Sequence, residues 1–282
     1  VQFNNRLDLS KGKNVSVYPS FLSPFFHCYK TILLMKKLFI IALACLLFLP
    51  SIGQGFRSPY KFSTQVDVPI SFSAISVLAA SYAWGKSKTL PSEETILALD
   101  RMNINMFDRS ATNHYSKKIA LSSDALMFAA MALPLFHLAN TNSRKDFGKI
   151  ATMGAQVFLL NIAATNFIKE AVGRTRPYVY NPNVPMAKKR KLDNFKSFFS
   201  GHTSTTAAMS FFFAKTYADY NPNSKFRPMV WSLSALLPAF TGFLRYKAGK
   251  HFWSDIIVGY AVGTLIGVGV PALHRANLGM NR

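Results

Sequence analysis

Six apolar stretches, at 66–84, 119–139, 148–168, 203–218, 229–244 and 256–273, constrain this chain more than any other feature. Each is about the length that crosses a lipid bilayer, or a little less. The predicted fold is therefore all-α, a six-helix transmembrane bundle. Ser, Thr, Asn and Gly recur inside the stretches, and such residues pack helix against helix. A soluble, exported helical bundle is the structural alternative. Between the first two stretches, Pro91-Ser92-Glu93-Glu94 reads as a helix start, with a Ser cap and acids facing the helix dipole. Ile96, Leu97, Leu99 and Met102 follow on one face, so a short amphipathic helix at the membrane surface precedes the second core helix.

The pattern changes at Met35. Lys36-Lys37, an apolar run over 38–49 and the small residues Ser51 and Gly53 make 35–54 an export signal. An uncleaved membrane anchor is the alternative. Residues 1–34 are then an over-extended, unstructured start, and 55–282 form one domain. Cys28 and Cys45 both precede that domain, so it has no disulfide framework.

Thirty-three Lys and Arg against twelve Asp and Glu leave a formal charge of +21. Such a surplus suits an anionic partner. No nucleic-acid motif is present, and the basic residues alternate with apolar runs, so the expected partners are a membrane and a phosphorylated lipid rather than nucleic acid. Lys188-Lys189-Arg190-Lys191 is by default a solvated loop run; headgroup recognition is the sharper alternative.

Three clusters between Lys169 and Asp255 carry chemistry. Lys169 and Arg176 are seven residues apart, so a helix presents both on one face, and Pro177 ends it. Ser200-Gly201-His202 opens the fourth stretch. Ser is a preferred cap, Gly admits close backbone approach, and free N–H groups at a helix start bind anions. His202 there can protonate a departing oxygen. His251 and Asp255, four apart, are neighbours on one helical face. The carboxylate would fix the ring's tautomer and leave its other nitrogen to attack, while Arg245 brings a fork of donors to the same phosphate. Taken singly, each cluster has a structural reading: a snorkelling pair, a helix cap, a buried ion pair.

Together the ordered set Lys-x6-Arg-Pro, Ser-Gly-His and Arg-x5-His-x3-Asp resembles the type 2 phosphatidic acid phosphatase (PAP2) superfamily. The resemblance implies the six-helix plan shared with the haloperoxidases over roughly 66–273, and a phosphatase domain at 55–282 with its motifs at 169–255. It also implies a phosphohistidine on His251, aligned by Asp255, with His202 as general acid. Lys169, Arg176, Ser200, Gly201 and Arg245 would hold the phosphate, with no metal and no cofactor. Two positions depart from the family's usual pattern: Phe199 replaces Pro before Ser-Gly-His, and Leu244 replaces Ser or Gly before Arg245.

The function so implied is hydrolysis of a phosphate monoester or diphosphate on a membrane lipid of a bacterial cell envelope. Candidates are phosphatidate, phosphatidylglycerol phosphate, undecaprenyl diphosphate and lipid A. A soluble periplasmic acid phosphatase, a vanadium-dependent haloperoxidase and a non-catalytic lipid-binding membrane protein are the alternatives. Topology is in tension: a cleaved signal with three full crossings brings Lys169 to the cytoplasmic side, and the basic run favours that side too. An exported enzyme works outside, so a site on the periplasmic face of the inner membrane is expected, with one early stretch not spanning.

Overall fold

The structure, a computed structural model, describes residues 58–276; the expected export signal, residues 1–34 and both cysteines lie outside them. The described residues are helical, with no strand beyond an isolated bridge between Tyr60 and Arg275. Six helices are 16 residues or longer: α1 (Thr64–Lys86), α2 (Lys117–Ala132), α3 (Phe147–Val172), α4 (Gly201–Tyr220), α5 (Arg227–Lys247) and α6 (Trp253–Leu273). Four segments are long and apolar enough to cross a membrane, those containing α1, α2, α3 and α6. By that measure the chain is a membrane protein with four candidate spans among the described residues.

Local chemistry sets the boundaries. Ser116 caps α2 by accepting from Ile119 N. Pro134 has no N–H to continue that helix, and the chain tightens into a 3-10 turn over Leu133–Ala139. Gly173, at φ 61°, closes α3 in the left-handed region that glycine enters without a steric cost. The amphipathic helix is shorter than expected. It covers only Glu93–Leu97, capped by Ser92. Ile96 is buried, but Leu97 and Met102 are 70% and 60% exposed, so the expected apolar face does not pack as a unit.

α4 is the central element. Fourteen of its 20 residues are buried, and α2, α3, α5 and α6 all pack on it. Its interior hydroxyls bond to the preceding turn: Thr206 Oγ1 donates to His202 O and Thr216 Oγ1 to Phe212 O. This explains why a Ser- and Thr-rich helix can sit in an apolar core. α1 is peripheral and packs on α3, with Ala74 and Ser81 as its buried residues.

The α4–α6 contact depends on a stripe of small residues. Gly259, Gly263 and Gly267 recur every fourth residue on α6 and face the carbonyls of Ser200, Ser204 and Ala208. A Cβ at Gly263 would stand 2.1 Å from Ser204 O, and one at Gly267 would stand 2.3 Å from Ala208 O. Glycine lets the two backbones approach. It thereby fixes the start of α4 beside the start of α6.

Gly269, on another face of α6, has nothing within 4 Å of its Cβ position. Gly263→Ala is therefore expected to destabilise the protein by about 1–3 kcal/mol, and Gly269→Ala to be neutral or stabilising by up to ~1 kcal/mol. Thermal unfolding of both variants in detergent checks the pair; equal shifts would contradict the stripe.

Candidate active site

The ends of α3, α5 and the starts of α4 and α6 meet at one end of the bundle. Asp255, in the first turn of α6, is completely buried and saturated with donors. Its Oδ2 accepts from Phe252 N at 3.0 Å and from Ser197 Oγ at 2.5 Å. Its Oδ1 accepts from Arg174 Nη1. Its backbone carbonyl accepts from Ser200 N at 3.0 Å. Through its carboxylate and its backbone carbonyl together, Asp255 thus caps α6 and joins all three sequence clusters.

His251 is buried beside it, with Nδ1 3.5 Å from Asp255 Oδ2 and 3.5 Å from Ser197 Oγ. Nε2 lies 3.4 Å from Arg176 Nη1. The expectation that His251 and Asp255 share a helical face needs correction. His251 precedes α6, which starts at Trp253, and the pair meets because Asp255 reaches back over the helix start. Burial, then the charges of Arg176, Arg245, Lys169 and His202, hold the His251 pKa well below its ordinary value. These causes favour the uncharged ring.

Lys169 and Arg176 also reach the site by a different route from the one expected. α3 stops at Val172 and Gly173 turns the chain, so Lys169 comes from a helix and Arg176 from the extended segment after it. Arg176 is buried. Its Nε donates to Asp193 O at 2.9 Å, Nη2 pairs with Asp193 Oδ2 at 2.9 Å, and Nη1 lies 3.3 Å from Lys250 O. A Cβ at Gly201 would lie 3.6 Å from Lys169 Nζ and 3.2 Å from Thr165 Cγ2, so a small residue at 201 leaves room for the lysine.

Ser200 caps α4 as expected, accepting from Thr203 N at 3.4 Å. Its N–H donates to Asp255 O, and its buried hydroxyl lies 2.9 Å from Thr203 Oγ1, where either oxygen can be the donor. The N–H groups of the first helical turn, at Gly201 and His202, are of the kind that can bind an anion.

His202 Nε2 lies 2.8 Å from Asp124 Oδ1, and the same oxygen lies 3.1 Å from Arg245 Nη1. Arg245 is buried. Nη1 also donates to Ser123 Oγ at 3.2 Å, while Nε has no partner. Burial, then Arg245, pull the His202 pKa down to about 4, with Asp124 opposing them. His202, Arg245, Asp124 and Lys250 line a cavity of about 440 Å³. Lys169 lines a second of about 870 Å³, beside Leu78 and Tyr82 of α1.

Five residues outside the expected set shape this geometry. Arg174 bridges buried Asp108 (Nη2 to Oδ2, 2.8 Å) to Asp255 and stacks its guanidinium 4.0 Å from the Phe252 ring centroid. Asp108 also accepts from Ser254 N and Ser254 Oγ. Ser197, Asp124 and Asp193 complete the shell. The scarcity of acids offered a signal: with twelve in the whole chain, an Asp inside an apolar stretch, as at 124, is unusual.

Residues 149–278 match the family model of the PAP2 superfamily. This segment belongs to that superfamily, and the chain is a phosphatase. No curated protein matches the sequence. Among solved structures, the chain is similar to one described as the first transmembrane PAP2 type phosphatidylglycerolphosphate phosphatase from Bacillus subtilis. The TM-score is 0.46 at 17% identity, covering 77% of this chain and 99% of that one.

Removing Arg174 would leave Asp108 and Asp255 buried without their cation. Arg174→Ala is expected to destabilise the protein by about 3–5 kcal/mol. Arg174→Lys, a point charge in place of a fork, would recover only part of this. Unfolding midpoints of the two variants test it; a wild-type midpoint for Arg174→Ala would contradict the bridging role.

Proposed function

We propose that this phosphatase hydrolyses a phosphate monoester or diphosphate on a membrane lipid through a phosphohistidine on His251. The observation that carries the reading is the buried His251 set between a carboxylate and a guanidinium. Asp255 lies on its Nδ1 side, and three cations, Lys169, Arg176 and Arg245, act on the same ring. With Nδ1 turned to the carboxylate, Nε2 is the attacking atom. Its lone pair forms the N–P bond while the bond to the leaving oxygen breaks, and His202 protonates that oxygen. Water then attacks phosphorus, the N–P bond breaks back onto Nε2, and His202 takes the water's proton. The three cations and the first N–H groups of α4 disperse charge over the phosphoryl oxygens.

Asp124 is a positioning residue in this scheme, holding His202 through Nε2 and raising its basicity. The lipid substrate is supported by the apolar helices around the site and the apolar wall of the larger cavity. Our placement is the bacterial inner membrane with the site on the periplasmic face, where an exported enzyme works. The basic run 188–191 opposes this by the positive-inside tendency. Asn183 is exposed in the loop between the first two clusters. Labelling of Asn183→Cys by an impermeant thiol reagent in intact cells, beyond any labelling of the wild type, supports the periplasmic face; protection until lysis overturns it.

Purified wild-type protein is expected to release phosphate from at least one of phosphatidate, phosphatidylglycerol phosphate, undecaprenyl diphosphate and lipid A. His251→Ala is expected to lose this by ~10³-fold or more. Full activity in that variant would sink the covalent mechanism.

The pH dependence follows from His202, whose pKa, pulled down to about 4, leaves the ring uncharged near neutral pH. The transferred proton must then arrive with the substrate, whose second phosphate ionisation lies near ~6. kcat/KM is expected to fall as pH rises through ~6. Asp124→Asn removes the charge that raises the His202 pKa, so its effect is to lower kcat and weaken proton donation most at high pH. A pH-independent loss in that variant would assign Asp124 a structural role instead.

A further inference from the structure

The 440 Å³ cavity extends from His202 and Arg245 and carries more positive charge than one reacting phosphate needs. Lys117 stands on its wall at the start of α2, Lys188 and Lys191 in the loop between the first two clusters, and Lys250 just before His251. None of these four lysines pairs with a carboxylate among the described residues. The acids on the wall are already engaged: Asp124 with His202 and Arg245, Asp193 with Arg176. Burial, then Arg176 and Arg245, bring the Lys250 pKa down to about 8, with Asp193 and Asp124 opposing them.

The position of the acid gives this cavity a direction. In the mechanism above, His202 protonates the leaving oxygen, so the space it faces holds the leaving group. We propose that the four lysines form a second anion subsite, and that the preferred substrate is a lipid whose leaving group retains a phosphate. That chemistry has two sources. A lipid diphosphate leaves as a lipid monophosphate, and a phosphorylated phospholipid headgroup leaves with its phosphodiester. Phosphatidate, whose leaving group is an uncharged diacylglycerol, offers the subsite nothing. The inference rests on the phosphatase reading and on His202 as its acid, and adds the substrate class.

The test compares kcat/KM for three short-chain substrates in neutral detergent micelles, which remove any anionic bulk surface. They are farnesyl diphosphate, dioctanoyl phosphatidylglycerol phosphate and dioctanoyl phosphatidate. The wild type is expected to prefer one or both of the first two. In Lys188→Ala/Lys191→Ala that preference over phosphatidate is expected to fall by about tenfold, the effect of losing two partly solvated ion pairs. Lys118→Ala removes a neighbouring charge outside the cavity lining and is expected to keep the wild-type ratio. The diphosphate and diester arms show which source the subsite takes.

A wild type that favours phosphatidate, or a double variant with an unchanged ratio, overturns the subsite. A uniform fall on all three substrates also overturns it, in favour of general attraction for phosphate. Release from none of the three by the wild type would instead count against the phosphatase reading itself.

Discussion

Everything at the active end of the bundle hangs on the burial of the Asp255 carboxylate. An ionised carboxylate without partners in an apolar interior is strongly disfavoured, and here every partner is a structural commitment. Arg174 ties it to the end of α3 and to Asp108, and Ser197 ties it to the approach to α4, where the Ser200 N–H meets the backbone carbonyl of the same aspartate. Phe252 N ties it to its own helix start, and His251 stands on the remaining side. Three sequence clusters dozens of residues apart are thereby gathered around one residue. The glycine stripe on α6 supplies the complementary backbone approach.

The site is an unbalanced cluster of charge. Lys169, Arg176, Arg245 and Lys250 act on one another at close range. Two carboxylates moderate them, Asp193 on Arg176 and Asp124 on Arg245. The Asp193 side chain is 73% exposed, so its charge is largely solvated and can yield Arg176 to a phosphate at small cost. Asp124 instead keeps a short contact with His202, the acid of the proposed mechanism. The buried Arg245 Nε, without a partner, is a donor that an oxyanion would satisfy. Electrostatic preorganisation of this kind is worth most where water is excluded, as it is around His251.

Much of this architecture is legible from local pattern. The apolar stretches correspond to the six long helices, and Ser92 and Ser200 cap where their residue types predict. The misleading signals lie at helix ends. Gly173 is a helix-stop residue, yet the seven-residue spacing of Lys169 and Arg176 suggests one continuous helix. His251 and Asp255 have helical spacing, but Phe252 is the cap and His251 lies before it. The acids Asp108, Asp124 and Asp193 cannot be assigned from neighbours. Asp108 and Asp124 meet partners far along the chain, in Arg174, His202 and Arg245; Asp193 meets Arg176 across a loop with no periodicity. Four of the long helices lie in segments long and apolar enough to span a membrane; α4, buried inside the bundle, is hydroxyl-rich and does not.

The central claim is that all these groups converge on one phosphoryl group carried by His251. Rapid quench of the enzyme with a radiolabelled lipid phosphate, followed by mapping of the labelled peptide, tests it most directly. The account requires an acid-labile, alkali-stable label on His251 during turnover, absent from His251→Ala. Turnover with no labelled histidine under quench conditions that preserve phosphohistidine, or a label on another residue, would contradict it.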